Sequence, residues 1–143
     1  MKKIFPDIVA FLLIFLFTYT SINKLYSLDS FTAVLKAMPV IKPVAFILTW
    51  LIPSVELVVV ALLFFPVTRL LGLQCSTALL LLFTLYLFYA LAVSDDLPCS
   101  CGGIISSMTW KQHLLFNSTL ILLTVTAVLF ARRLEKKQKI LLQ

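Results

Sequence analysis

The sequence predicts an all-α integral membrane protein, a bundle of four spanning helices with both termini in the cytoplasm. Three observations predict this. The chain is 62% hydrophobic and 13% charged, with a mean hydropathy of +1.09, whereas a soluble domain carries about 25% charged residues. Its charges gather at the chain ends and in short connections, which is how a membrane protein distributes them. Four of the stretches between them reach the roughly 20 apolar residues a helix needs to cross about 30 Å of hydrocarbon at about 1.5 Å per residue.

The first span is expected from about Ile4 to Tyr26. Lys2 and Lys3 before an oily core resemble a signal peptide, but bulky residues continue and no A-x-A-like site follows, so the helix is expected to be retained. The second span covers about residues 43–65 and the third about 70–93, joined only by a short "PVTR" turn, so they form an antiparallel hairpin. Between the first two spans, "SLDSFTAVLKAMPVIK" mixes apolar and polar residues and suits a short helix at the interface. The fourth span covers about residues 113–131, and residues 132–143 form a basic cytoplasmic tail. The apolar runs are continuous rather than alternating, which excludes strands. The whole is read as a single membrane domain, 143 residues long.

Orientation follows from Lys and Arg. Four spans put both termini on one side, with Lys2, Lys3, Arg69, Arg132, Arg133, Lys136, Lys137 and Lys139. The other side has Lys24, Lys36, Lys42 and Lys111. The richer side is cytoplasmic. The chain is therefore expected in a bacterial inner membrane as a multi-pass protein, with the segment before the fourth span facing the periplasm. The net charge of +6 is spent on this orientation. With no basic face and no aromatic recognition module, nucleic acid is not an expected partner; the lipid bilayer is.

That outward segment reads "DDLPCSCGGIISSMTWKQHLLFN", from Asp95 to Asn117. Cys99 and Cys101 are spaced C-x-C. A disulfide between them closes a small, strained ring, and strain raises its reduction potential. Pro98 fixes the entry, and Gly102 and Gly103 leave the sulfurs uncovered for a partner thiolate. Redox exchange, a merely structural disulfide and a metal site are the three readings. The spacing matches no common zinc pattern, and no metal is expected. Cys75, near the other end of the third span, behaves as a small hydrophobe.

Glu56 is an acid deep inside the second span, where a charge costs on the order of 3 kcal/mol. It should face the bundle interior and be protonated or meet a donor, either as a proton carrier or cofactor anchor or as an interhelical packing bond. Pro53, three residues earlier, kinks the helix. Lys24 ends the first span and can snorkel to the interface. His113 and Asn117 are four apart and share a face. His113 points either into the bundle, where an imidazole could deprotonate a thiol, or toward lipid headgroups. Trp50, Trp110, Tyr26 and Tyr89 read as span-end anchors.

The runs "TSINKLYSLDSFTAVL" and "LIPSVELVVVALL", then "CSCGG" before a last helix with Asn, resemble the methylamine utilisation protein MauE family, within a wider DoxX-like group of four-helix membrane proteins. Lys24, Leu25, Phe31, Pro53, Glu56, Cys99, Cys101, Gly103 and Asn117 carry the resemblance, over roughly residues 4–130. The family loop often reads C-G-C-F-G; Ser100 and Gly102 stand here in place of its inner Gly and Phe. The resemblance implies a role in maturing methylamine dehydrogenase, whose small subunit is disulfide-rich and periplasmic, alongside a thioredoxin-like partner.

Three function classes follow. In the leading one, Cys99 and Cys101 exchange electrons with a periplasmic thioredoxin-like protein or a disulfide-containing substrate protein. A quinone near Glu56 and Asn117 is one electron route, although quinone-coupled thiol oxidases usually relay through two cysteine pairs. In the second, the protein docks a secreted partner and the C-x-C disulfide only braces the loop. The third, a small transporter, rests on Glu56 alone and lacks the paired repeats of that class.

Overall fold

The computed structural model describes residues 4–93 and 110–141. It is all-α, with no strand among the described residues. The elements are α1 (Ile4–Tyr26), α2 (Leu28–Ala37), a 3-10 turn (Lys42–Val44), α3 (Ala45–Phe64), α4 (Arg69–Val93) and α5 (Trp110–Leu141). Four of the helices, α1, α3, α4 and α5, are long and apolar enough to cross a membrane. The chain is a multi-pass membrane protein.

Each span buries one stripe and turns the rest outward. On α1 the stripe is Val9, Ala10, Leu13, Phe17, Ser21 and Lys24; on α3 it is Ala45, Thr49, Pro53, Glu56, Val59 and Leu63. Steps of three and four residues keep each set on one face. Outward residues such as Phe15, Phe46 and Leu85 are more than 60% exposed, which in a bilayer means lipid contact rather than a defect. α1 packs on α3, α3 on α4, α4 on α5 and α5 on α1, so the four spans close into a ring. Leu13, Phe17, Leu63 and Leu73 fill its centre.

Side-chain contacts define the two ends of the ring. At one end Phe5 of α1 meets Phe130 of α5 edge to face, with ring centroids 5.8 Å apart. There also Asp7 of α1 pairs with Arg69 at the start of α4, 2.6 Å apart. At the other end lie the last turns of α1, the start of α3 and the later half of α4; Lys24 links α1 to Phe83 of α4 and to Glu56 near the middle of α3. The chain direction puts Val93 and Trp110, which flank the C-x-C segment, at this second end.

The α3–α4 hairpin is tight. A Cβ on Gly72 would come within 2.9 Å of the Leu63 backbone nitrogen and 3.0 Å of the Leu62 carbonyl carbon, so only glycine lets the two backbones approach this closely. Thr68 donates its hydroxyl to the Leu62 carbonyl at 2.9 Å, and Arg69 donates Nε–H to the Leu63 carbonyl at 3.2 Å. These bonds satisfy carbonyls that the end of α3 leaves without helical partners.

The short helix expected between the first two spans is α2. Its Phe31 and Leu35 are buried against Ala45, with Leu48 and Ile52 alongside, and the Thr32 and Thr49 hydroxyls meet at 3.0 Å. α3 continues as one helix through Pro53. α5 begins three residues before the expected fourth span and ends ten residues after it, so the basic tail as far as Leu141 extends the same helix.

Candidate functional site

Ser21 and Lys24 lie three apart on the buried stripe of α1, directly facing Glu56 on the buried stripe of α3. Glu56 is fully buried and Lys24 is 7% exposed. Lys24 Nζ stands 2.5 Å from Glu56 Oε1, and Ser21 donates its hydroxyl to Oε2 at 2.8 Å. Both carboxylate oxygens therefore have a donor. The ammonium also lies 5.1 Å from the centroid of the Phe83 ring of α4 and 5.8 Å from that of Phe31 of α2. Both distances are within reach of a cation–π attraction. One lysine on α1 thus reaches three other elements: the acid on α3, a ring on α2 and a ring on α4.

The location is electrostatically demanding. An isolated charge among apolar side chains is strongly disfavoured, and mutual attraction offsets that cost only when geometry is good and the remaining valences are satisfied. Here the geometry is good. The cluster holds a fixed cation and a fixed anion in an apolar interior, where hydrogen bonds are electrostatically stronger than in water.

Lys24 does not snorkel as expected. The snorkelling expectation treats the end of a span as the edge of the membrane, but Glu56 supplies an internal counter-charge that draws the side chain inward. Glu56 meets a donor inside the bundle, as expected. Ser21 was not singled out from the sequence. Its signal was register: it lies four residues after Phe17 and three before Lys24 on the same stripe.

His113 and Asn117 are buried on α5, 7% and 6% exposed, in line with Leu120 and Thr124. His113 points into the bundle rather than toward headgroups. Cys75 is a free, half-buried cysteine packed against the core. Cys99 and Cys101, with Asp95, Asp96, Pro98, Gly102 and Gly103, lie outside the described residues. Among the described residues no group of three or more His, Cys, Asp or Glu could hold a metal ion.

Neither the curated proteins nor the solved structures compared with the chain contain a match. A family model, methylamine utilisation protein MauE, matches residues 2–130. That span contains all four membrane helices up to the foot of α5, the Lys24–Glu56 pair and the C-x-C motif. The chain belongs to the methylamine utilisation protein MauE family.

Proposed function

We propose that this MauE-type membrane protein supports thiol–disulfide exchange outside the cytoplasm through Cys99 and Cys101. The observation that carries the reading is the C-x-C pair itself, set between two membrane spans of a MauE-family chain. The excess of Lys and Arg on the side of the termini supports a bacterial inner membrane location with the pair facing the periplasm, where disulfides persist.

The exchange is a two-electron transfer. A partner's thiolate attacks one sulfur of the Cys99–Cys101 disulfide; that S–S bond breaks and a mixed disulfide forms. The other cysteine leaves as a thiolate and takes up a proton. A second thiolate on the partner then attacks the partner's own sulfur in the mixed disulfide and expels the bound cysteine, so the partner ends as a disulfide and Cys99 and Cys101 end as thiols. Two electrons and two protons have moved. A disulfide on a thioredoxin-like protein returns the pair to its oxidised state by the reverse steps, with direction set by relative reduction potentials. The client is a secreted disulfide-containing protein, such as the methylamine dehydrogenase small subunit. Lys24, Glu56, His113 and Asn117 serve as supporting polar residues at the end of the bundle from which this segment leaves.

The test is genetic and chemical. In intact cells, a membrane-impermeant maleimide should label Cys99 and Cys101 only after reduction and should leave Cys75 unlabelled. Single Cys99→Ser and Cys101→Ser variants should trap a mixed disulfide with the partner, visible on non-reducing gels. A Cys99→Ser/Cys101→Ser double variant should abolish client maturation. Maturation that persists without either sulfur sinks the exchange reading and leaves a docking protein whose disulfide is structural.

A further inference from the structure

The foot of α5 carries a second, unassigned feature. α5 is 32 residues long, about 48 Å at 1.5 Å per residue, against about 30 Å of hydrocarbon. The excess emerges as continuous helix carrying Arg132, Arg133, Lys136 and Lys137, all exposed. Their direction is set by the rest of the helix. The buried stripe of α5 is His113, Asn117, Leu120, Thr124, Ala127 and Val128. Leu115, Leu122 and Leu129 lie on the opposite face and are 69%, 69% and 52% exposed. Steps of seven continue that outward line onto Lys136, and Arg132, Arg133 and Lys137 flank it. Arg133 and Lys136 therefore stand below the lipid-facing surface of α5, with Arg132 and Lys137 exposed at its two flanks.

Height agrees with direction. From Arg132 to Lys137 the helix rises about 7.5 Å, close to the roughly 5–7 Å of headgroup layer on each side of the hydrocarbon. Phe130, just above, packs on Phe5, which ties this part of the helix to the ring. Glu135 is the one acid in the run Arg132–Lys139. Arg69, a further cation of this end, is already paired with Asp7.

We propose that Arg132, Arg133, Lys136 and Lys137 form a binding surface for anionic phospholipid headgroups, recruiting acidic lipids to the column of lipid that coats Leu122 and Leu129. The surface works in whichever leaflet it meets and is independent of the cysteine chemistry. Lysines and arginines near a charged membrane surface each contribute on the order of one kT or more of attraction, and the roughly 7.5 Å of helix that carries all four is no longer than one Debye length of about 8 Å.

The experiment uses the full chain reconstituted in zwitterionic phosphatidylcholine with trace spin-labelled lipid. Electron paramagnetic resonance reports the motionally restricted fraction for labelled phosphatidylglycerol and for labelled phosphatidylcholine. The wild type should favour phosphatidylglycerol on the order of fivefold, and the preference should shrink as sodium chloride is raised. The variant Arg132→Gln/Arg133→Gln/Lys136→Gln/Lys137→Gln should bind the two lipids about equally, with its thermal unfolding unchanged because glutamine keeps the helix. Equal association in the wild type overturns the proposal, as does a preference that survives in the variant. Inorganic phosphate should compete no better than chloride at matched ionic strength. Selective loss of the preference in phosphate identifies a soluble-phosphate site and overturns the lipid assignment. The salt series on the wild type decides the matter even if the variant fails to fold.

Discussion

Lys24 and Glu56 are opposite charges that the bundle holds out of water. Breaking such a pair leaves a buried ion without its partner, which costs roughly 3–5 kcal/mol, whereas replacing both by apolar groups of similar volume is often neutral. Lys24→Ala and Glu56→Ala should therefore each lower the unfolding free energy by about that amount, measured by denaturation in detergent. Lys24→Met with Glu56→Leu should recover most of the loss. Client maturation in the folded double variant then separates the two readings of Glu56: if maturation survives, the pair is a packing device, and if it fails, the charges serve the exchange. Ser21→Ala removes one hydrogen bond to a charged group and should cost less, roughly 1.5–3 kcal/mol.

At the scale of the element, Gly72 governs the α3–α4 hairpin. A Cβ there meets backbone, not the far end of a flexible side chain, so the helices must separate to admit it. Gly72→Ala should destabilise by roughly 1–3 kcal/mol and Gly72→Val by more, read from detergent unfolding midpoints. The partly exposed pair Asp7–Arg69 is a different case. Its side chains are 46% and 22% exposed, so Asp7→Asn should cost under about 1 kcal/mol. The hairpin is held by close backbone approach and capped carbonyls more than by its surface charges.

For the whole molecule, closure of the ring depends on α5 returning to α1. In a variant lacking the native cysteines, Phe5→Cys with Phe130→Cys should cross-link on mild oxidation, seen as a mobility shift. Tyr26→Cys with Phe130→Cys, at opposite ends, should not. The four spans were legible because bilayer thickness imposes a length on any apolar run, and their starts and ends were read to within a few residues for α1, α3 and α4. The far end of α5 was not, because hydropathy reports residence in lipid and not helicity. Leu, Glu, Lys, Gln and Arg in "RRLEKKQKIL" are good helix formers and carry the helix on to Leu141. The pairing of Lys24 with Glu56 was also hidden. The two are 32 positions apart, and in spans that are apolar all round the buried stripe barely stands out from the lipid-facing one.

The packed centre of the ring has one more consequence. Leu13, Phe17, Leu63 and Leu73 sit where a pore would run, each at most 2% exposed. Their packing ties the four spans to one another, so a change of volume at any one of them is felt by its neighbours on the other helices.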